Sequence, residues 1–145
     1  MKNGVLVFAS VLIISLAGCS MSKPYDVEAA IRQGEIVDLH GQVSNAQRIE
    51  EFNQNILQNV KDKIRITRFT VEGDPIFYDI QFDGKEIKFR SDHSKDKHGT
   101  GKRQSTACES FLTRETRNGI EYSFDGCSGK NEDIGNSFKL EVITE

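Results

Sequence analysis

The sequence predicts an α+β fold: an antiparallel sheet of about five to six strands, with one amphipathic helix and a short N-terminal helix packed on one face. Three observations predict it. Apolar residues between Ser44 and Val60 recur at the three- and four-residue spacing of a helix stripe. From Lys63 onward they alternate with polar residues in short runs, the period of half-buried strands. Asp-Gly, Gly-Asp-Pro and Asn-Gly steps separate those runs, as turn residues do in antiparallel sheets. With 145 residues, 37% of them hydrophobic, the chain can bury the core of one ordinary domain.

The first helix is short. Asp26 is placed to cap it, Glu28 stands in its first turn, Ala29-Ala30-Ile31 are helix-compatible, and Gly34 stands where a left-handed residue would end it. Glu35 to His40 then reads as a strand, with Val37 and Leu39 on one face and Asp38 and His40 on the other. Ser44 followed three residues later by Gln47 has the form of a capping box. The helix it opens carries Ile49, Phe52, Ile56, Leu57 and Val60 on one stripe, to be packed into the core.

Lys63 to Val71, Ile76 to Phe82 and Lys85 to Arg90 read as consecutive strands. A two-residue Asp83-Gly84 turn sets Phe82 opposite Lys85, Ile80 opposite Ile87 and Tyr78 opposite Phe89. On the other face Asp79 then meets Lys88 and Gln81 meets Glu86. Phe77 falls on that polar face, and the parity change between Ile66 and Phe69 puts one of those two there as well. These residues form either a contact patch for a partner, through Phe77 and Ile66, or the end of a second small core. Thr106 to Arg114 and Ile120 to Gly126 form a further hairpin with Phe111, Tyr122 and Phe124 on a common face. After a turn region from Gly129 to Asn136, Phe138, Leu140 and Val142 alternate in a last strand.

The N-terminal segment has the three parts of a secretory signal: Lys2 as its only charge, an apolar run from Val5 to Ile14, and small residues before Cys19. The run falls short of the roughly 20 residues needed to span a bilayer. Leu16-Ala17-Gly18-Cys19 resembles the bacterial lipoprotein cleavage site. The resemblance implies that Cys19 receives a diacylglyceryl group, becomes the first residue and anchors the chain at the extracytoplasmic face of the cell membrane. The expected organisation is therefore a signal peptide over 1–18, the lipidated cysteine and a short tether over 19–24, and one extracytoplasmic domain over 25–145. Ser20 to Pro24, fully extended, reach only about 17 Å.

Of the chain's three cysteines one is taken by lipid, so Cys108 and Cys127 remain as an even pair in an oxidising compartment and are expected to form a disulfide. The pair also selects the turn. A two-residue Asn118-Gly119 turn leaves Cys108 opposite Gly129, whereas a four-residue loop, Thr116 to Gly119, sets Cys108 directly opposite Cys127.

The formal net charge is −3, and removing residues 1–18 takes away only Lys2, so the mature chain stands at −4. An acidic balance speaks against nucleic acid as a partner. The stretch from Ser91 to Ser105 lacks large apolar residues and reads as a mobile loop. Its Lys95, Lys97, Lys102 and Arg103 outnumber Asp92 and Asp96, so it is a candidate contact with anionic headgroups or wall polymers.

Catalytic and metal chemistry find little to work with. Asp92, Ser94 and Asp96 take the first, third and fifth positions of a calcium loop, but Lys97 stands where glycine is needed and Arg103 where a bidentate glutamate belongs. His93 and His98 on a loop are not a preorganised metal site. Gly99-Thr100-Gly101-Lys102 lacks both the first glycine and the final Ser or Thr of a phosphate loop. Glu72, Asp74 and Asp79 are the nearest thing to a catalytic carboxylate cluster, against which stands ordinary turn chemistry and cross-strand pairing. No catalytic residue, metal or cofactor is therefore expected.

The run Lys61-Asp62-Lys63-Ile64-Arg65-Ile66-Thr67, followed by Thr70-x-Glu72-Gly73-Asp74-Pro75-Ile76-Phe77 and Asp79, resembles a family of small lipoproteins of Gram-positive bacteria known only as a domain of unknown function. The likeness continues at His40-Gly41, Ser44-Asn45, Asp83-Gly84, Asp92-x-Ser94-x-Asp96 and Gly126-Cys127. It covers most of the mature chain and implies the address and a single domain, with no functional residue to carry over. The expected function is a membrane-anchored, non-catalytic binding or accessory domain with a protein or wall-polymer partner. The alternatives are an inhibitor or immunity-type lipoprotein, and a hydrolase using the carboxylates near Asp74.

Overall fold

The computed structural model describes residues 25–144, so the signal segment, Cys19 and the tether lie outside the described residues. The chain runs α1 (Val27–Arg32), β1 (Ile36–Leu39), β2 (Gln42–Ser44), α2 (Gln47–Leu57), β3 (Asp62–Phe69), β4 (Pro75–Phe82), β5 (Ile87–Asp92), β6 (Arg103–Cys108), β7 (Ser110–Glu115), β8 (Gly119–Asp125), α3 (Glu132–Asn136), β9 (Lys139–Ile143). The class is α+β. A six-stranded sheet has the order β2-β1-β3-β4-β5-β6, and β7-β8-β9 form a second sheet. Every pairing is antiparallel except that of β1 with β3. A parallel pair needs a crossover, and α2 supplies it. Among the described residues no helix is long and apolar enough to cross a membrane.

Local chemistry sets the ends of α1 as the sequence suggests. The Asp26 carboxylate accepts from the Ala29 N–H at 2.9 Å. Gly34, at φ +85°, closes a Schellman motif in which Glu35 N–H reaches Ala30 C=O and Gly34 N–H reaches Ile31 C=O, each at 3.0 Å. The capping box at Ser44 and Gln47 does not form: the cap position is Ala46, with no side-chain cap. Ser44 is drawn into β2 opposite Val37. Asn45, at φ +57°, turns the chain and spends its amide on the carbonyls of Ile31 and Glu35. His40 and Gly41, both at positive φ, form the two-residue turn of the β1–β2 hairpin, an element the hydrophobic pattern missed because β2 has only three residues.

The core lies between the two sheets, with α2 at its margin. Inward-facing Ile36, Ile64, Ile66, Ile80, Phe82, Ile87 and Phe89 of the large sheet meet Phe111, Tyr122, Phe124, Phe138 and Leu140. Phe89 touches Phe124 and Phe138 with ring centroids 4.9 and 5.1 Å apart, and Tyr78 meets Phe138 at 5.2 Å. Of the α2 stripe, Ile49 and Phe52 are buried and Ile56 is half-buried. Leu57 is 72% exposed, because it lies about 100° round the helix from Ile56. Val60 is also exposed, since the helix has already ended in a Schellman motif with Asn59 at φ +58°. Arg68 bridges the sheets. Its Nε donates to the buried Asp38 carboxylate and its Nη2 to the Lys139 carbonyl, each at 2.8 Å, while the guanidinium lies over the Tyr78 and Phe138 rings.

The register set by an Asp83-Gly84 turn is corrected, with Asp79 opposite Arg90 in place of Lys88 and Gln81 opposite Lys88 in place of Glu86. Phe82 pairs with Ile87 and Ile80 with Phe89, two residues away from the Asp83-Gly84 register. The turn is centred one residue later, on Gly84-Lys85, because the Asp83 carboxylate accepts the N–H groups of Lys85 and Glu86 and becomes the residue before the turn. A shift of two preserves side-chain parity, so the faces survive while the partners change. The four-residue Thr116–Gly119 loop does form, with Glu115 opposite Ile120, and Cys108 and Cys127 are disulfide-bonded. The long strand expected from Thr106 breaks at Glu109. Its first half pairs with β5 and its second with β8, so the disulfide ties the seam between the sheets. Part of the expected Gly129–Asn136 turn region is the short helix α3, whose Gly135 lies against the disulfide.

Candidate functional site

Side chains of a strand alternate between faces, so the inward set of the large sheet leaves an opposite, outer set. Four paired strands arrange it in rows: Lys63–Gln81–Lys88–Ala107, Arg65–Asp79–Arg90–Ser105 and Thr67–Phe77–Asp92–Arg103. Tyr25 roofs one end of the third row, its ring 5.5 Å from Phe77 and 5.7 Å from Phe69. Its hydroxyl donates to the Glu35 carboxylate and shares a 3.1 Å hydrogen bond with the Thr67 hydroxyl. Burial, reinforced by the Glu35 carboxylate, pushes the Tyr25 phenol up to about 12. Phe77 therefore belongs to a second small core and is not a free contact. Ile66, the other candidate contact, is fully buried in the main core because the strand keeps its parity and sends Phe69 to the outer face; it offers a partner nothing.

Among the described residues nothing covers the first two rows. They form the floor of a concavity of about 760 Å³, walled on one side by Gln33, Gly34 and Glu35 at the end of α1. Its charged lining is Arg48, Lys63, Arg65, Lys88 and Arg90 against Glu35 and Asp79, an excess of three positive charges on a chain whose total is −3. Asp79 holds two of these cations. Arg65 Nε and Nη2 donate to its two oxygens at 2.7 and 3.2 Å, and Arg90 donates to Oδ2 from Nε at 3.1 Å and from Nη2. Burial acts to raise the Asp79 carboxyl, but the two guanidiniums outweigh it and hold it below the usual carboxylate range. So saturated, Asp79 is a spacer between arginines and no proton acceptor. At the edge, Arg48 is held by Asp62 and by the Lys63 carbonyl at 3.1 Å, while its Nη1 is buried without a hydrogen-bond partner. The Lys88 ammonium lies 3.0 Å from the Asp83 carboxylate at the rim.

The anticipated carboxylate cluster does not assemble. Asp74 sits in the β3–β4 turn with Oδ2 accepting the Lys97 N–H at 2.9 Å, and Asp79 lies five residues on, about 17 Å along an extended strand. The two are used as turn chemistry and cross-strand pairing. The Ser91–Ser105 segment is also more ordered than a free loop: Ser91 and Asp92 extend β5, Arg103 to Ser105 open β6, and the His93 N–H bonds the Lys102 carbonyl at 2.9 Å. Of its four cations, Lys97 pairs with Asp74 at 3.5 Å and Arg103 with Asp92 at 2.8 Å, so only Lys95 and Lys102 project without an ion-pair partner among the described residues. Asp92, first of the calcium-like positions, is spent on Arg103 and the Ser94 N–H. Among the described residues no group of three or more His, Cys, Asp or Glu side chains converges as a metal site.

The cations of the outer face were missed from the sequence, although each strand carried a signal. Lys63-Ile64-Arg65-Ile66 and Ile87-Lys88-Phe89-Arg90 both alternate basic with apolar residues. Only the register of β3, β4 and β5 shows that the two alternations share a face.

No curated protein and no solved structure matches the chain. The family comparison matches residues 33–123, which take in the sheet face, its α1 wall and the hairpin beyond, and by that match the chain belongs to the family described as a domain of unknown function, DUF4362.

Proposed function

We propose that the protein is a membrane-anchored, extracytoplasmic and non-catalytic binding domain that recognises its partner with the outer face of the large sheet. The observation that carries the binding reading is the uncovered cationic concavity, since an open sheet face lined by charge serves recognition better than it serves stability. The signal segment ending in Leu16-Ala17-Gly18-Cys19, together with the resemblance to small lipoproteins of Gram-positive bacteria, supports the address. Tyr25 packs on the outer face, so an anchor at Cys19 would hold that face within about 20 Å of the tether's origin. An inhibitor or immunity-type lipoprotein would use the same surface and differ only in its partner.

Two measurements test the two halves. Metabolic labelling with a fatty-acid analogue is expected to mark the parent chain and not Cys19→Ala; label persisting in the variant removes the anchor. A photo-crosslinker at Gln81, exposed at the centre of the face, is expected to capture a partner in whole cells. Failure of capture, combined with hydrolytic turnover that Asp74→Asn abolishes, would replace the binding reading with the enzymatic one.

A further inference from the structure

We infer that the outer-face groove binds a linear phosphate-bearing polymer, gripping successive phosphates between Lys63 and Lys88 and between Arg65 and Arg90. The inference rests on the binding reading above and names its ligand.

The geometry comes from sheet spacings. Lys63 and Arg65 on β3, and Lys88 and Arg90 on β5, are each two residues apart, which is about 7 Å along a strand. β4 lies between those strands, so the two pairs are about 10 Å apart across the sheet. Four cations thus mark the corners of a rectangle whose sides along β3 and β5 face each other across Gln81 and Asp79. An anion set between two such rails needs oxygens pointing both ways. A tetrahedral phosphate presents oxygens in more than one plane, whereas a carboxylate has only two coplanar oxygens, which Arg65 and Arg90 already occupy at Asp79. The about 7 Å step along the strands then calls for a second phosphate, hence a chain of them.

The two rows differ in strength. Asp79 already offsets half of the Arg65–Arg90 row, and fixes both guanidiniums in place for a ligand. The Lys63–Gln81–Lys88 row has no acid between its cations, although Lys88 also pairs with Asp83 at the rim, and the Gln81 amide adds a neutral donor. The lysine row differs in that the acid paired with it lies at the rim and leaves the space over Gln81 open. Two other polyanions fit less well. The groove exposes no aromatic ring for bases to stack on, since Phe89 faces the core and Phe77 is roofed by Tyr25. Its wall at Gln33–Glu35 admits a chain but holds off a flat bilayer.

The test uses the full-length chain in nonionic detergent, with labelled inorganic polyphosphate as the probe, and polyglutamate, single-stranded DNA and phosphatidylglycerol vesicles as competitors. Polyphosphate is expected to bind, to weaken steeply with salt and to resist displacement by the other three. Lys63→Gln with Lys88→Gln is expected to weaken it about tenfold or more, since each removes a charge-assisted contact. Gln81→Glu, which sets a carboxylate in the open row, should act in the same direction, while Lys95→Gln with Lys102→Gln in the β5–β6 loop should leave binding within about twofold. All three variants alter exposed side chains, and an unchanged melting temperature confirms the fold. Equal losses in the groove and loop variants, or a preference for any of the three competitors, would overturn the inference. If polyphosphate fails while the Gln81 crosslinker captures a partner, the ligand assignment falls and the binding domain stands; if both fail, the binding reading falls with it.

Discussion

Replacing Gly135 by alanine sets two effects of opposite sign against each other. Gly135 lies inside α3, and glycine in an exposed helix interior is worse than alanine by about 1 kcal/mol, so propensity alone makes Gly135→Ala stabilising. Packing opposes this. A Cβ at position 135 would lie 2.4 Å from Cys127 Sγ and 2.9 Å from both Cys108 Sγ and Thr106 Cγ2. None of these is the free end of a flexible side chain: the sulfurs are bonded to each other, and Thr106 is held in β6 with its hydroxyl donating to the Ser128 carbonyl at 2.7 Å. Overpacking costs about 1–3 kcal/mol, and three contacts under 3.0 Å put this case at the upper end. The net expectation is a loss of about 2 kcal/mol, read as a lower urea midpoint at unchanged m-value. The physical cause is checked by repeating the substitution without the disulfide. Cys108→Ala with Cys127→Ala costs about 3 kcal/mol by itself, from a loop of about 20 residues, but removes two of the three short contacts and leaves only Thr106 Cγ2. In that background Gly135→Ala should cost less than in the parent, giving a coupling above about 1 kcal/mol. Stability unchanged or raised by Gly135→Ala in the parent would refute the reasoning, because helix propensity would then have decided the sign.

Three further outcomes follow from the same geometry. Arg68→Ala should cost about 3 kcal/mol, since it leaves the Asp38 carboxylate, 8% exposed, with the Gly41 N–H as its remaining donor, and Asp38→Ala made together with it should cost less than the sum. Gly119→Ala should prevent β8 from pairing with β9, because its Cβ would meet the Val142 carbonyl oxygen at 1.9 Å; hydrogen exchange of β9 amides reads this, and retained protection would contradict it. At Asp92, burial acts to raise the carboxyl, but hydrogen bonds from Ser94 and Arg103 outweigh it and hold it at about 2, below the ordinary 3.8 of an aspartate. A folded value below the unfolded one stabilises above about pH 4 and is lost as pH falls toward 2, so the gap in urea midpoint between parent and Asp92→Asn should close over that window; a constant gap would remove the assignment.

What could be read along the chain was what neighbouring residues decide among themselves. Asp26 and Gly34 bound α1 because a cap and a left-handed glycine act within a single turn. The alternation of Phe138, Leu140 and Val142 marked β9, and Cys108 with Cys127 selected the four-residue loop because two fixed points determine a register. Where the sequence offered two local solutions, its pattern alone did not choose between them. Ser44 could cap α2 or pair in β2, and the open ladder beside Val37 took it; the turn at Asp83 could close one residue earlier or later, and the Asp83 carboxylate on the Lys85 and Glu86 N–H groups goes with the later one. The break at Glu109, which sends one strand into two sheets, depends on the partners of each half and has no local signature. The same holds for the candidate site. Basic residues alternating with apolar ones along two separate strands are determined by the sequence, but their convergence requires β4 between them in one particular register. A groove made of residues from Arg48 to Arg90 exists only once long-range hydrogen bonds have placed those strands side by side.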